Sequence, residues 1–131
     1  MPQKTLRNWA IEKLELFFGL YLVWQGVSIP LTGRTGENSA SFHYLIGLSD
    51  ILRIEPSTIL SLLFLVPGLF VVLPRTRRFG LLLASLFMLV HAVGTARSVA
   101  LNQDGAISAP NTYFFIAFLA AWLYLTERNA R

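Results

Sequence analysis

His91 is the side chain of this 131-residue chain that is best suited to chemistry, because it lies deep within a long apolar segment. Ionisable groups in such segments are energetically costly, so each is a functional hypothesis by default. One interpretation is a transporter or redox enzyme that uses this imidazole. The other is structural: a neutral imidazole hydrogen-bonds a neighbouring helix, for example through Gln25. No carboxylate accompanies His91, so we do not predict a metal site.

Small and polar residues share one helical face with His91. At 3.6 residues per turn, these positions form a stripe that could line a path or contact a partner helix. Its members are Ser85, Met88, His91, Ala92, Thr95 and Ser98.

Two further polar residues, Glu15 and Gln25, belong to the first apolar segment. Glu15 falls on the same side as Gly19 and Gly26, and this narrow side is suited to close helix approach. We interpret Gln25 as a polar fastener between helices. Glu15 is expected to reach water or an Arg of the 75–78 turn, with a proton relay as the alternative. Ala117 and Ala121 form a second pair of small residues.

Several classes of function are disfavoured by what the sequence lacks. There is no cysteine and no HExxH, P-loop, GxGxxG or plausible Ser-His-Asp pattern, so we expect no enzyme, no catalytic residues, no cofactor and no metal. Charged residues make up 14% of the chain, against about 25% in soluble domains. The net charge of +4 comes without a basic stripe, so nucleic acid is not an expected partner.

These residues need elements to position them, and the hydropathy pattern predicts four helices. The expected fold is all-α: an integral membrane four-helix bundle forming one domain over 1–131. The spans are predicted at about 10–29, 57–74, 79–98 and 110–126, the first ending at Pro30 and the second kinked at Pro67. A short amphipathic surface helix is predicted at about 41–54, in the first outer loop, and a polar turn at 100–109.

Basic residues predict the orientation of the bundle. Eight of the eleven Lys and Arg residues flank one side of the four-span pattern, including Arg75, Arg77 and Arg78 in the short turn after the second span. Cationic loops are retained in the cytoplasm during insertion. We therefore predict a bacterial inner (plasma) membrane protein, multi-pass, with cytoplasmic N- and C-termini.

The order of these features resembles small four-helix membrane proteins of tailed bacteriophages and prophages. The features are a Trp9-x-x-Glu12 start, a Pro30–Gly33 turn, the segment Asn38–Leu45, the Arg-rich turn at 75–78, and Pro110–Tyr113 leading to Trp122. The chain also resembles, more weakly, the DoxX-like four-helix family in its long first outer loop, its Arg turn and its histidine in the third span. That resemblance implies a redox accessory role.

Two functions are therefore expected besides the His91 alternative. In the first, a phage-type protein forms homo-oligomers in the lipid bilayer, with holin-like permeabilisation as the most concrete form. A bundle of this size has no room for a pore, so a pore would form between subunits. In the second, the chain is a structural or accessory subunit docking onto a larger membrane, virion or respiratory (DoxX-like) complex. The polar stripe and the surface helix would be its docking faces.

Overall fold

The protein is all-helical over the residues that the computed structural model describes, 3–32, 48–100 and 108–130. Four long helices are α1 (Gln3–Thr32), α3 (Pro56–Val72), α4 (Arg77–Ala100) and α5 (Ser108–Ala130). A short helical segment at 48–52, α2, precedes α3. It ends at Arg53, whose φ of 58° lies in the left-handed region where a helix stops.

Successive long helices run antiparallel. Gly26 meets Leu65 and Gly19 meets Val71, so α1 and α3 run in opposite directions. Gly80 near the start of α4 packs against Val71 at the end of α3, so α4 runs back along α3. The Ser85 hydroxyl donates to the Ala117 carbonyl at 3.2 Å, pairing α4 with α5. The start of α1 and the end of α5 therefore lie at the same end of the bundle.

The four helices form an open arc rather than a closed ring. α1 packs extensively on α3, α3 on α4, and α4 on α5, whereas α1 and α5 meet only sparsely. The core inside the arc is built from all four helices and centres on Leu22, Phe64, Leu81, Met88 and Leu123. Over the described residues, the side between α1 and α5 is left open.

Around this apolar core, several polar side chains are also buried, and many large apolar side chains are exposed. Glu15, His91 and Thr95 are fully buried. Large apolar side chains point outward from the long helices, with Phe17 71% exposed, and with Trp24, Leu86, Val90, Phe115 and Phe118 also exposed. Exposed apolar surface of this extent marks a membrane or protein interaction surface.

Helix boundaries depart from the predictions in instructive ways. The prediction that Pro30 ends the first helix is wrong, because α1 continues through Pro30 to Thr32. Pro67 lies inside α3, which runs on to Val72, two residues short of the predicted end. Within the predicted surface helix, residues 48–52 are helical and 41–47 lie outside the described residues. The Gly-rich turn from Gly33 and positions 101–107 of the polar turn also lie outside them.

Only one of the described helices is long and apolar enough to cross a membrane by length and composition, the Arg77–Arg97 stretch of α4. Two shorter apolar stretches lie at Thr58–Val72 in α3 and Asn111–Thr126 in α5. At 1.5 Å per residue, the 17 residues of α3 extend about 26 Å, slightly less than a typical hydrocarbon core. α1 is longer, but charged residues occupy its first half.

Candidate functional site

A buried ionic cluster joins three helices at the end of the bundle that holds both termini. Arg77, the first residue of α4, places its Nε 3.9 Å from a Glu15 carboxylate oxygen and its Nη1 4.0 Å from Glu12. The Glu15 side chain is fully buried and that of Arg77 is 6% exposed, whereas Glu12 is largely exposed. A buried carboxylate needs a cation and hydrogen bonds to offset its desolvation, and Arg77 supplies the cation.

The same guanidinium also caps the end of α3. Arg77 Nε donates to the Val71 carbonyl at 2.9 Å, and Nη2 donates to that of Val72 at 3.4 Å. The Thr76 hydroxyl donates to the Phe70 carbonyl, and the Leu73 amide to that of Leu69. The last four carbonyls of a helix have no intrahelical partner, and here the turn that follows satisfies all four.

A seam of glycines brings α1 and α3 into close contact. A Cβ added to Gly26 would lie 2.7 Å from the Leu65 Cβ and 2.8 Å from its backbone nitrogen. One added to Gly68 would lie 2.8 Å from the Val23 nitrogen. At this approach the Ser61 hydroxyl donates to the Gly26 carbonyl at 2.5 Å. The Gly19–Gly26 face predicted to approach another helix therefore packs on a helix of the same chain.

His91 belongs to an aromatic cluster in the half of the bundle away from the termini. Its ring centroid lies 4.1 Å from that of Tyr113 in α5 and 6.2 Å from that of Phe64 in α3, both in edge-to-face geometry. The Thr95 hydroxyl donates to the His91 carbonyl at 2.7 Å, the usual intrahelical bond for this residue type. The imidazole is thus packed between neighbouring helices of its own chain.

The polar stripe of α4 faces inward. Met88, His91, Ala92 and Thr95 are fully buried, and Ser85 is half-buried with its bond to α5. The side chain of Ser98 lies outside the described residues. The described part of this stripe therefore faces α3 and α5 of the same chain and is not exposed for docking to another protein.

The open side of the arc holds two adjoining cavities. The first is a groove of about 390 Å³ between α1 and α5, lined by Leu14, Phe17, Phe18, Phe115, Ile116 and Leu119, with Tyr21 and Thr112 at one end. The second is a pocket of about 300 Å³ that shares Tyr21 and Thr112 and continues past Gln25 to Tyr113, Phe64, Leu60 and Ile29. Tyr113 joins this pocket to the His91 cluster.

The predicted site residues thus separate into three places. Glu15 and Arg77 form the ionic cluster, the glycines form the seam, and Gln25 lies along the pocket whose Tyr113 contacts His91. Arg75 and Arg78 are exposed, and the Arg78 guanidinium lies 5.4 Å from the centroid of the Tyr124 ring. Among the described residues, no three of His, Asp and Glu come together as metal ligands would.

Two features escaped sequence reasoning. One is the burial of Arg77 and its bonds to the α3 carbonyls; its contact with Glu15 is one of the two alternatives that the sequence predicts for that carboxylate, an Arg of the 75–78 turn. The groove was missed because it depends on which two helices fail to meet, and no local pattern reports that. No protein-family model matches the chain, and neither a curated protein nor a solved structure is significantly similar to it.

Proposed function

We propose that this chain is a small multi-pass membrane protein that acts as a non-catalytic accessory subunit. The observation that carries the membrane proposal is extensive exposed apolar surface together with buried polar groups: Phe17, Phe115 and Phe118 face outward, while Glu15 and His91 are fully buried. In water this arrangement would cost both desolvated polar groups and exposed apolar surface. In a bilayer the exposed rings contact lipid, and the polar groups are sheltered by the bundle.

The charges support a cytoplasmic location for the end of the bundle that holds the termini. Exposed Arg75 and Arg78 lie at that end, and two cations there stack on aromatic rings, Lys13 over Trp9 at 5.9 Å and Arg78 over Tyr124. Cations and amphipathic aromatic rings are typical of the headgroup region. The bacterial inner membrane remains the compartment that the phage-like and DoxX-like resemblances imply.

The packing of the small residues supports an accessory subunit over a pore-forming oligomer. Membrane helices associate through small-residue faces. Here Gly26 of α1 packs on α3, and Gly68 of α3 packs on α1. Ala117 is buried, and its carbonyl accepts the hydrogen bond from Ser85. These three small residues are therefore already packed within the monomer, and large apolar side chains on the outward surface are suited to lipid or to a larger partner.

Topology is tested with single cysteines, since the chain has none of its own. Arg75→Cys lies in the exposed turn between α3 and α4, and Leu52→Cys lies in the exposed segment before α3. In intact cells, a membrane-impermeant maleimide should label Leu52→Cys and should label Arg75→Cys only after permeabilisation. Equal labelling of both in intact cells, or recovery of the protein from the soluble fraction, would contradict the proposal.

The mode of action is tested by the mass of the complex extracted in mild detergent. An accessory subunit should co-purify with a stoichiometric membrane partner, and induced expression should leave the membrane potential intact. A ladder of homo-oligomers together with a timed collapse of the potential would instead establish a holin-like function. The open α1–α5 side favours this second candidate, because a second copy could close the arc there.

A further inference from the structure

The groove and the pocket adjoin on the open side and together form a cleft whose two halves differ in chemistry. Tyr21 and Thr112 line both cavities and mark where they join. On the side toward the termini, the wall is apolar, with Phe17 and Phe115 as its exposed rings. On the other side, Gln25 and the tyrosines bring polar groups to the wall.

The polar half of the cleft suits an uncharged head group. None of the described residues that line either cavity is charged. A phosphate or carboxylate placed there would lose its hydration without gaining a cation, which is costly in an apolar setting. Gln25 carries both amide donors and an acceptor, and the Tyr21 hydroxyl can act as either, so hydroxyl or carbonyl oxygens are the groups that this half can recognise.

The apolar half has room for one chain. Its volume of about 390 Å³ is roughly 2.6 times that of a ~150 Å³ protein cavity that holds one benzene ring. One alkyl or isoprenoid chain of about a dozen carbons fits this space, whereas the two long chains of a phospholipid do not. Cavities of 300 Å³ and above are the usual size for small-molecule binding.

We infer that the cleft between α1 and α5 binds a single-chain, uncharged amphiphile whose oxygen-bearing head lies beside Gln25 and whose apolar chain lies between Phe17 and Phe115. The ligand reaches it sideways from the bilayer through the unclosed side of the arc. This inference rests on the membrane location proposed above and adds the chemical class of the ligand.

The experiment uses the full chain in phosphatidylcholine nanodiscs and a photoreactive analogue of monomyristin with a diazirine in its chain. Labelling should be saturable and should map to peptides of α1 and α5. Unlabelled monomyristin, which carries both hydroxyl groups and an ester carbonyl, is the reference competitor; a 1-alkanol and a ketone of similar chain length distinguish a hydroxyl head from a carbonyl head. Myristate and myristoyl lysophosphatidylcholine, with the same chain and an anionic or zwitterionic head, should compete at least tenfold more weakly.

Two substitutions on α1 form a matched pair. Leu14 and Leu20 are both partly exposed, but Leu14 lines the groove and Leu20 is not among its lining residues. Leu14→Trp should fill the groove and abolish saturable labelling, whereas Leu20→Trp should leave it unchanged. Gln25→Leu should weaken competition by monomyristin about two- to tenfold, the loss of one hydrogen bond.

Each adverse outcome has a specific meaning. Equal competition by myristate or lysophosphatidylcholine would overturn the uncharged head group, and labelling that survives Leu14→Trp would overturn the location. If the photoreactive analogue does not label the cleft, and α1 and α5 of two copies can be cross-linked to each other, the cleft is occupied by a second protomer instead. The maleimide labelling that tests the topology does not depend on ligand binding. If the topology is as proposed but no saturable binding is found, only the ligand inference is refuted and the membrane proposal stands.

Discussion

Helix α1 presents two faces that behave oppositely. Toward α3 it offers Gly19 and Gly26, and the two backbones approach so closely that an added methyl group would collide with Leu65. Toward α5 it offers Leu14, Phe17 and Tyr21, and the helices stand apart around a cleft. Both faces belong to one helix in one environment, so residue size, rather than overall hydrophobicity, decides where the bundle closes.

We call the α1 surface that packs on α3 the closed face, and the ionic cluster lies at its end. Of the substitutions proposed here, one in this cluster should lower stability the most. Arg77→Leu leaves Glu15 buried without its cation and removes two carbonyl contacts of α3, so unfolding in mixed micelles should become easier by about 3–5 kcal/mol. The exposed Arg75→Gln variant is the control and should change stability little. If the double variant Glu15→Gln/Arg77→Gln is no more stable than Arg77→Leu, the pairing does not govern this end.

Gly26→Ala tests the closed face directly. The new methyl group would meet Leu65 backbone and side-chain atoms below 3.0 Å, and overpacking of this kind costs about 1–3 kcal/mol. Val93→Ala, at an exposed position within α4, is the control and should be neutral or favourable, given the better helix propensity of alanine. Equal thermal stability of the two variants would mean that α1 and α3 are not held so closely.

Ser61→Ala removes the hydrogen bond that spans the closed face. Its hydroxyl donates to the Gly26 carbonyl, and bonds between membrane helices contribute about 0.6 kcal/mol on average. Thr126→Ala is the matched control, since the Thr126 hydroxyl bonds the Trp122 carbonyl within α5. The unfolding free energy should fall for Ser61→Ala and stay within error for Thr126→Ala. A larger loss for Thr126→Ala than for Ser61→Ala would contradict the close contact between α1 and α3.

Phe115→Ala probes the open side of the bundle, where the cleft separates α1 from α5. It should change stability the least of these substitutions. The Phe115 side chain is 67% exposed and lines the cleft, so its removal creates no closed cavity. We expect the unfolding free energy to change by about 0.5 kcal/mol or less. A loss as large as that of a buried phenylalanine, about 3–5 kcal/mol, would mean that α1 and α5 are packed together after all.

Much of this fold could be predicted from the sequence because its rules are local. The helical class and the close-approach face at Gly19 and Gly26 follow from periodicity and residue size. Pro30 is an exception: the local rule stops α1 there, yet the helix continues to Thr32. A proline in the last turn of a helix removes only one backbone hydrogen bond, so the helix can continue past it for a few residues. A rule that ends every helix at a proline does not predict such cases.

The candidate sites were harder to predict, because each depends on contacts between distant segments. His91 could be singled out as a costly polar residue, but its contacts with Phe64 and Tyr113 depend on the arrangement of α3, α4 and α5. The cleft depends on the absence of packing between the first and last helices. Its polar half includes Gln25, which the sequence suggested as a fastener and the structure places on a cavity wall.

The double role of Arg77 has a consequence for biogenesis. Under the membrane location that we propose, this guanidinium would contribute with its neighbours, during insertion of the nascent chain, to the positive charge that resists translocation. In the folded protein the same group is buried, beside Glu15 and the carbonyl of Val71. A neutral residue at this position would therefore impair the protein twice, first in choosing its topology and then in completing its assembly.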